Sequence, residues 1–194
     1  MYNVYMKYKK IVVASGNADK IREIREIFTG VEIVTMQELG FTDEIEETGK
    51  SFRENALIKA RTIAQKFNLP ALADDSGLCV DGLRGAPGIY SARFSGEGPA
   101  ANRKLLLKRM EHVHDRRAHF ESAVCLYDPN GKVRFGEGKT YGRILYEEIG
   151  DKGFGYDALF FSDDLKKSFG LAEVDEKNSV SHRFRALKDL QAKL

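Results

Sequence analysis

A chain of 194 residues, 42% apolar and 31% charged, is long enough to bury one substantial core without disulfides or a structural metal. Its 31 basic and 29 acidic residues leave a formal charge of +2 and form no long basic block, which argues against a nucleic-acid surface as the main function. No apolar run has the length of a membrane span or the flanks of a signal peptide. Cys79 and Cys125 sit in apolar contexts at a spacing that suits neither a metal nor a redox pair, so they read as buried free thiols of a reducing, cytoplasmic compartment.

Residues 1–9 read as a frayed tail, with Met6 an equally good start. Lys10 to Ser15 predicts a buried strand that runs through Gly16-Asn17 into a helix from about Asp19 to Phe28, with Ile21, Ile24, Ile27 and Phe28 as its apolar stripe. Such a turn can cradle phosphate, with backbone N–H groups and the Lys20 ammonium facing the anion. The same turn is common as plain structure in α/β proteins. Glu32 to Thr35 predicts a second strand, and the stretch 37–49 is acidic and irregular, with Asp43, Glu44, Glu46 and Glu47 close together.

Ser51 and Glu54 form a capping box ahead of a helix from Phe52 to about Lys66. Asn55 and Lys59 lie one turn apart on it, on a face that is either solvated or the edge of a site. Leu69 to Ala73 predicts a buried strand that breaks at Asp74-Asp75-Ser76-Gly77, delivering two carboxylates and a hydroxyl to a sharp turn. Gly82, Gly85, Pro87, Gly88 and Gly96, anchored by Leu83, Ile89, Tyr90 and Phe94, make the following stretch an ordered loop.

Pro99 opens a helix to about His112, and Asp128-Pro129-Asn130-Gly131 joins the strands Ala118–Asp128 and Lys132–Ile144 into a hairpin. His112, His114 and His119 offer no metal set by their spacing. A second Gly-rich loop, Gly150 to Asp157, leads to a strand at Leu159–Phe161. Ser181 caps a C-terminal helix with the stripe Phe184, Leu187, Leu190 and Leu194, which puts His182 and Arg183 in its first turn, where an anion or an electron-rich carbonyl can bind. The predicted class is α/β: a mixed sheet flanked by helices, bent into two lobes with a groove between them.

Five motifs in order carry a resemblance. Ser15-Gly16-Asn17-x-x-Lys20, Glu46-Glu47-Thr48-Gly49, Asp74 through Gly77 on to Ser91-Ala92-Arg93, Gly153-Phe154-Gly155-Tyr156-Asp157 and Ser181-His182-Arg183 resemble the inosine/xanthosine triphosphate pyrophosphatase family over nearly the whole chain. The resemblance implies an elongated α/β fold with its site in a central cleft, residues 1–194 forming a single catalytic domain, and usually a homodimer. It also implies Mg²⁺-dependent hydrolysis of noncanonical purine nucleoside triphosphates (ITP, dITP, XTP) to the monophosphate and pyrophosphate.

On those motifs the resemblance assigns Asp75 as the base for the attacking water and as a metal ligand. Glu46 or Glu47 is the second ligand; the sequence does not separate them. Lys59 and Lys20, with the backbone of Ser15, Gly16 and Asn17, neutralise the triphosphate, and Ser76 holds a phosphate or sugar oxygen. Phe154 stacks on the purine; Gly155, Tyr156, Asp157 and Lys177 belong to the base-binding wall; His182 and Arg183 donate to the 6-keto oxygen. An acidic site without His or Cys fits Mg²⁺ better than Zn²⁺. Ala158 stands where the family usually has Pro, which implies a less rigid loop, and the altered Phe169–Glu173 segment weakens the assignment of Lys177. The alternatives are a pyrophosphatase for pyrimidine or modified nucleotides and a nucleotide-binding protein without turnover.

Overall fold

A computed structural model describes residues 8–194. Most of the expected tail, Met6 included, lies outside the described residues. Tyr8 is not frayed: it is buried in a core, and its hydroxyl accepts a hydrogen bond from Arg134 Nη1 at 3.2 Å. The Lys9 carbonyl accepts the Glu32 amide, so ordered chain begins before the strand itself.

In chain order the elements are β1 (Lys10–Val13), α1 (Ala18–Ile27), β2 (Glu32–Thr35), α2 (Phe52–Phe67), β3 (Ala71–Val80), α3 (Pro99–Arg109), β4 (Arg117–Tyr127), β5 (Val133–Ile144), β6 (Phe160–Ser162), β7 (Lys167–Ser168), α4 (Val174–Val180) and α5 (His182–Gln191). The strands form a mixed sheet ordered β2-β1-β3-β4-β5-β6-β7. β1 runs parallel to β2 and β3, whereas β6 is antiparallel to β5 and β7. Parallel neighbours need crossovers, which α1 and α2 supply. Among the described residues no helix is long and apolar enough to cross a membrane.

The described residues fall into two compact units, one holding the chain up to Asp75 with Ala123–Glu137 and Ala186–Leu194, the other Ser76–Ser122 with Gly138–Arg185. In the first, side chains alternate across the strands. Ile11, Val13 and Leu72 enter a core with Ile24 of α1, with Phe28 just past its end and with Leu187 and Leu190 of α5. Val12, Ala14, Ala71 and Ala73 enter another with Ala56, Ala60, Ile63 and Ala64 of α2. The second unit has its own core around Leu78, Leu106, Phe120, Ile144, Phe160 and Phe169, in which the rings of Phe120 and Phe160 lie 4.7 Å apart.

Three local readings are corrected. Asp74-Asp75-Ser76-Gly77 is not a turn: β3 continues through it to Val80, because the carboxylates find buried partners there and do not need solvent. The expected capping box at Ser51 is only half made. Ser51 Oγ accepts the Glu54 amide (3.2 Å), but Glu54 Oε2 accepts the Lys50 amide (2.6 Å) one residue further out. The short helix α4 was not foreseen; Glu173 and Glu176 form a reciprocal capping box at its start, and Glu is not a usual N-cap residue. Of the two cysteines, Cys125 is buried as expected, and burial pushes its thiol up to about 12, whereas Cys79 is only partly buried.

Gly136 on β5 lets α5 pack closely: a Cβ there would lie 2.1 Å from the Ala186 carbonyl oxygen and 2.5 Å from the Leu190 amide nitrogen. Gly136→Ala therefore pushes α5 off the strand and lowers the unfolding free energy by about 1–3 kcal/mol. The expected result is a lower urea midpoint with an unchanged m value.

Candidate active site

The alternation of β3 decides where its two carboxylates go. Asp74 shares the face of Leu72 and meets α1; Asp75 shares the face of Ala73 and meets α2. Lys20, in the first turn of α1, places its Nζ 2.6 Å from Asp74 Oδ2, whose side chain is fully buried. Lys59 Nζ lies 3.3 Å from Asp75 Oδ1 and 2.6 Å from Glu47 Oε1, and it donates to the Asp74 carbonyl at 3.0 Å.

Asn55, one turn before Lys59, is fully buried. Its Nδ2 donates to Asp75 Oδ2 (3.1 Å) while its Oδ1 accepts the Gly49 amide (2.8 Å). The acidic loop is thus tied to the strand carboxylate through one amide side chain. A Cβ at Gly49 would stand 2.6 Å from that Oδ1, so the close approach requires glycine. The face holding Asn55 and Lys59 is turned to Asp75 and Glu47 and is not a solvated face. Asn55 was noticed in the sequence as Lys59's neighbour but given no role; its spacing from Lys59 was the available signal.

Burial raises the Asp75 carboxyl above its ordinary value, and Glu47 adds to the rise, against the pull of Lys59, Lys20 and the Asn55 hydrogen bond. Burial opposes the Lys59 charge, but the attraction of Asp75, Glu47 and Asp74 outweighs it and holds the ammonium above its ordinary value. Both shifts have one cause: three carboxylates face two ammonium groups in a poorly solvated place, so the cluster holds protons tightly. The two glutamates separate here. Glu47 is half-buried and bonded to Lys59, whereas Glu46 is exposed and makes none of these contacts.

The Ser15-Gly16-Asn17 turn is a self-contained helix cap. Asn17 Oδ1 accepts the amides of Asp19 (2.9 Å) and Lys20 (3.1 Å), and Ser15 Oγ accepts that of Asn17 (3.1 Å). Those amides, expected to face an anion, are already satisfied. What the turn contributes to the cluster is the Lys20 ammonium.

A second charged cluster lies within the second unit. Lys177 of α4 places its Nζ 2.6 Å from Asp157 Oδ2 in a buried ion pair and 4.3 Å from the centre of the Phe154 ring. The same Asp157 oxygen accepts the Phe154 amide at 2.8 Å. Arg183, almost wholly buried, donates from Nη2 to Ser76 Oγ (3.1 Å), with its guanidinium carbon 6.0 Å from the Phe154 ring. The buried His182 ring stacks on Phe120 at 4.9 Å.

Two members of the expected base wall make internal hydrogen bonds. Tyr156 is a core residue: its hydroxyl donates to the Ser91 carbonyl (2.9 Å), and burial holds it un-ionised. The Gly155 carbonyl accepts Arg103 Nη1 (3.1 Å). The Ala158 carbonyl accepts the Ile149 amide and that of Leu159 accepts the Leu145 amide, both at 2.8 Å. The altered segment before α4 leaves Lys177 on Asp157.

An α/β protein with two buried clusters of opposed charges, one on strand β3 and one on a Gly-Phe-Gly loop, is what fold and side chains define. The chain belongs to the Ham1 family, whose model matches residues 11–193. It is similar to the dITP/XTP pyrophosphatase of Haemophilus influenzae, 44% identical over 96% of this chain and 99% of that one, and to that of Campylobacter jejuni subsp. doylei, 44% identical over 92% and 94%. The Staphylococcus aureus Ham1 protein has the same fold, with a TM-score of 0.88 and 38% identity over 95% of this chain and 97% of that one.

Replacing Lys177 by Met leaves the Asp157 carboxylate buried without its cation, which costs about 3–5 kcal/mol. Urea unfolding of Lys177→Met is expected to show that loss, and Lys177→Arg, which keeps the charge, is expected to recover most of it.

Proposed function

We propose that the chain hydrolyses noncanonical purine nucleoside triphosphates, ITP, dITP and XTP, to the nucleoside monophosphate and pyrophosphate in a Mg²⁺-dependent reaction. The observation that carries this reading is the buried Asp74–Asp75 pair on β3, gripped by Lys20, Lys59 and Asn55 and joined by Glu47. The relatives named dITP/XTP pyrophosphatase support it.

The donor set fits the metal. It consists of carboxylate oxygens alone, with an excess of negative over positive groups, and a hard cation such as Mg²⁺ favours such a set over His and Cys. Glu47 and Asp75 would hold the ion, which when bound supplies Lewis-acid polarisation and charge neutralisation at phosphate oxygens. Exposed Glu46 is the poorer candidate.

Asp75 accepts the proton of the attacking water at a carboxylate oxygen, and the burial that raises its proton affinity suits it to that task. Asn55 holds the carboxylate in place. Lys20 and Lys59 face the charge that develops on phosphate oxygens. In the second unit Phe154 stacks on the purine, Asp157 and Lys177 bound the base, Ser76 holds a sugar or phosphate oxygen, and His182 and Arg183 donate to the 6-keto group. Adenine presents an amino group there, and donors left unpaired in a buried site reject a substrate by roughly 10⁴-fold or more. On this reading the chain is one catalytic domain that acts as a homodimer, and two free thiols suit the cytoplasm.

Pyrophosphate release from ITP, dITP, XTP, GTP and ATP, with and without Mg²⁺, tests the reading. Metal-dependent release from ITP, dITP and XTP is expected, with kcat lowered about 10²–10⁴-fold in Asp75→Asn. No release from any purine triphosphate by the folded protein would overturn it. Activity on pyrimidine triphosphates alone, or binding of ITP without release, would identify which alternative holds.

A further inference from the structure

Within the second unit, neighbouring strands bring a cysteine beside a histidine and a glutamate that lie far from it in the sequence. Cys79 is on β3, and His119 and Glu121 are two residues apart on one face of β4. The thiol sulfur, an imidazole nitrogen and a carboxylate oxygen all lie within 4.8 Å of one another. All three residues are partly buried, within reach of an ion yet poorly solvated. The expectation that the cysteines and histidines form no metal set rested on linear spacing, which cannot see a set assembled across two strands.

The distances suit a small tetrahedral ion. His119 Nε2 and Glu121 Oε2 are 3.4 Å apart; two ligands at about 2.0–2.1 Å from a tetrahedral Zn²⁺ are separated by about 3.3–3.4 Å, and a sulfur at about 2.3 Å lies about 3.6 Å from each. Closing the sulfur onto the other two therefore takes movements of about 1 Å at most, within the reach of side-chain rotation. The His119 ring is flanked by Tyr141 of β5, with ring centres 5.7 Å apart. The group in competition is Lys139, whose Nζ sits 2.9 Å from Glu121 Oε2.

We propose that Cys79, His119 and Glu121 form a Zn²⁺-binding site, with water as the fourth ligand. One sulfur, one nitrogen and one oxygen donor match Zn²⁺ and not the hard cation of the carboxylate cluster. Binding replaces the thiol proton by the metal: the S–H bond breaks, the proton goes to solvent, the sulfur keeps the electron pair and donates it to the ion, and Lys139 swings off the carboxylate. Because the thiol must lose its proton to bind, affinity rises with pH. The site does not depend on the reading of the catalytic clusters.

The test titrates the full, chelator-treated protein with Co²⁺ as a spectroscopic probe. Saturation at one equivalent is expected, with a thiolate-to-cobalt charge-transfer band, tetrahedral d–d bands and displacement by Zn²⁺. Cys79→Ser loses the charge-transfer band and, with His119→Ala, binds about 10-fold or more weakly. Lys139→Gln binds more tightly, because the competitor for Glu121 is gone, and Cys125→Ser, with unchanged far-ultraviolet circular dichroism, binds as the parent does. Absence of saturable binding at one equivalent, a charge-transfer band that survives in Cys79→Ser, or one lost in Cys125→Ser, would overturn the proposal.

Discussion

Two consecutive residues of the interior strand β3, Asp74 and Asp75, carry carboxylates into the interior, and the surrounding structure depends on their being held there. Like charges about 4 Å apart repel by roughly 4 kcal/mol at an effective dielectric of 20, and an unpaired buried charge costs several more. On a strand, consecutive side chains point to opposite faces. One helix cannot serve both. The β1-α1-β2-α2-β3 path puts a helix on each face, and each brings one lysine: Lys20 of α1 to Asp74, Lys59 of α2 to Asp75. The apolar alternation that packs Leu72 towards α1 and Ala73 towards α2 is the same alternation that sorts the carboxylates.

The second unit solves a similar problem once. Asp157 is buried at the end of the Gly-Phe-Gly loop and meets Lys177 from α4, while its carboxylate also accepts the Phe154 amide. One ion pair thereby sets the loop backbone and brings a cation over the Phe154 ring. Arg183 and Ser76 add a second polar contact beside that ring. The Phe154 ring and the charged groups around it are thus fixed by contacts the fold itself needs.

Much of this was legible in the chain. The helices α1 and α2, the strands β1, β2, β4 and β5, the Ser181 cap and the Asp128–Gly131 hairpin turn all rest on near-neighbour physics, and they stand within a residue or two of where the sequence puts them. The half-made Ser51 box and the helix α4 are local misses; the reading of β3 failed because of partners distant in the chain. Asp74-Asp75-Ser76-Gly77 looks like a turn because polar residues and glycine ordinarily end a strand; here Lys20, Asn55 and Lys59 satisfy the carboxylates and the strand goes on.

The sequence by itself determined the class of fold, the family resemblance and the list of charged and aromatic residues from which the sites are drawn, because periodicity, caps and motifs are local properties of the chain. Only the tertiary structure decided which of those residues meet. It separated Glu47 from Glu46, made Asn55 the link between the acidic loop and Asp75, and set Cys79 beside His119 and Glu121. The reason is physical: a contact between residues on different strands or helices follows from register and packing, and spacing along the chain carries no measure of either.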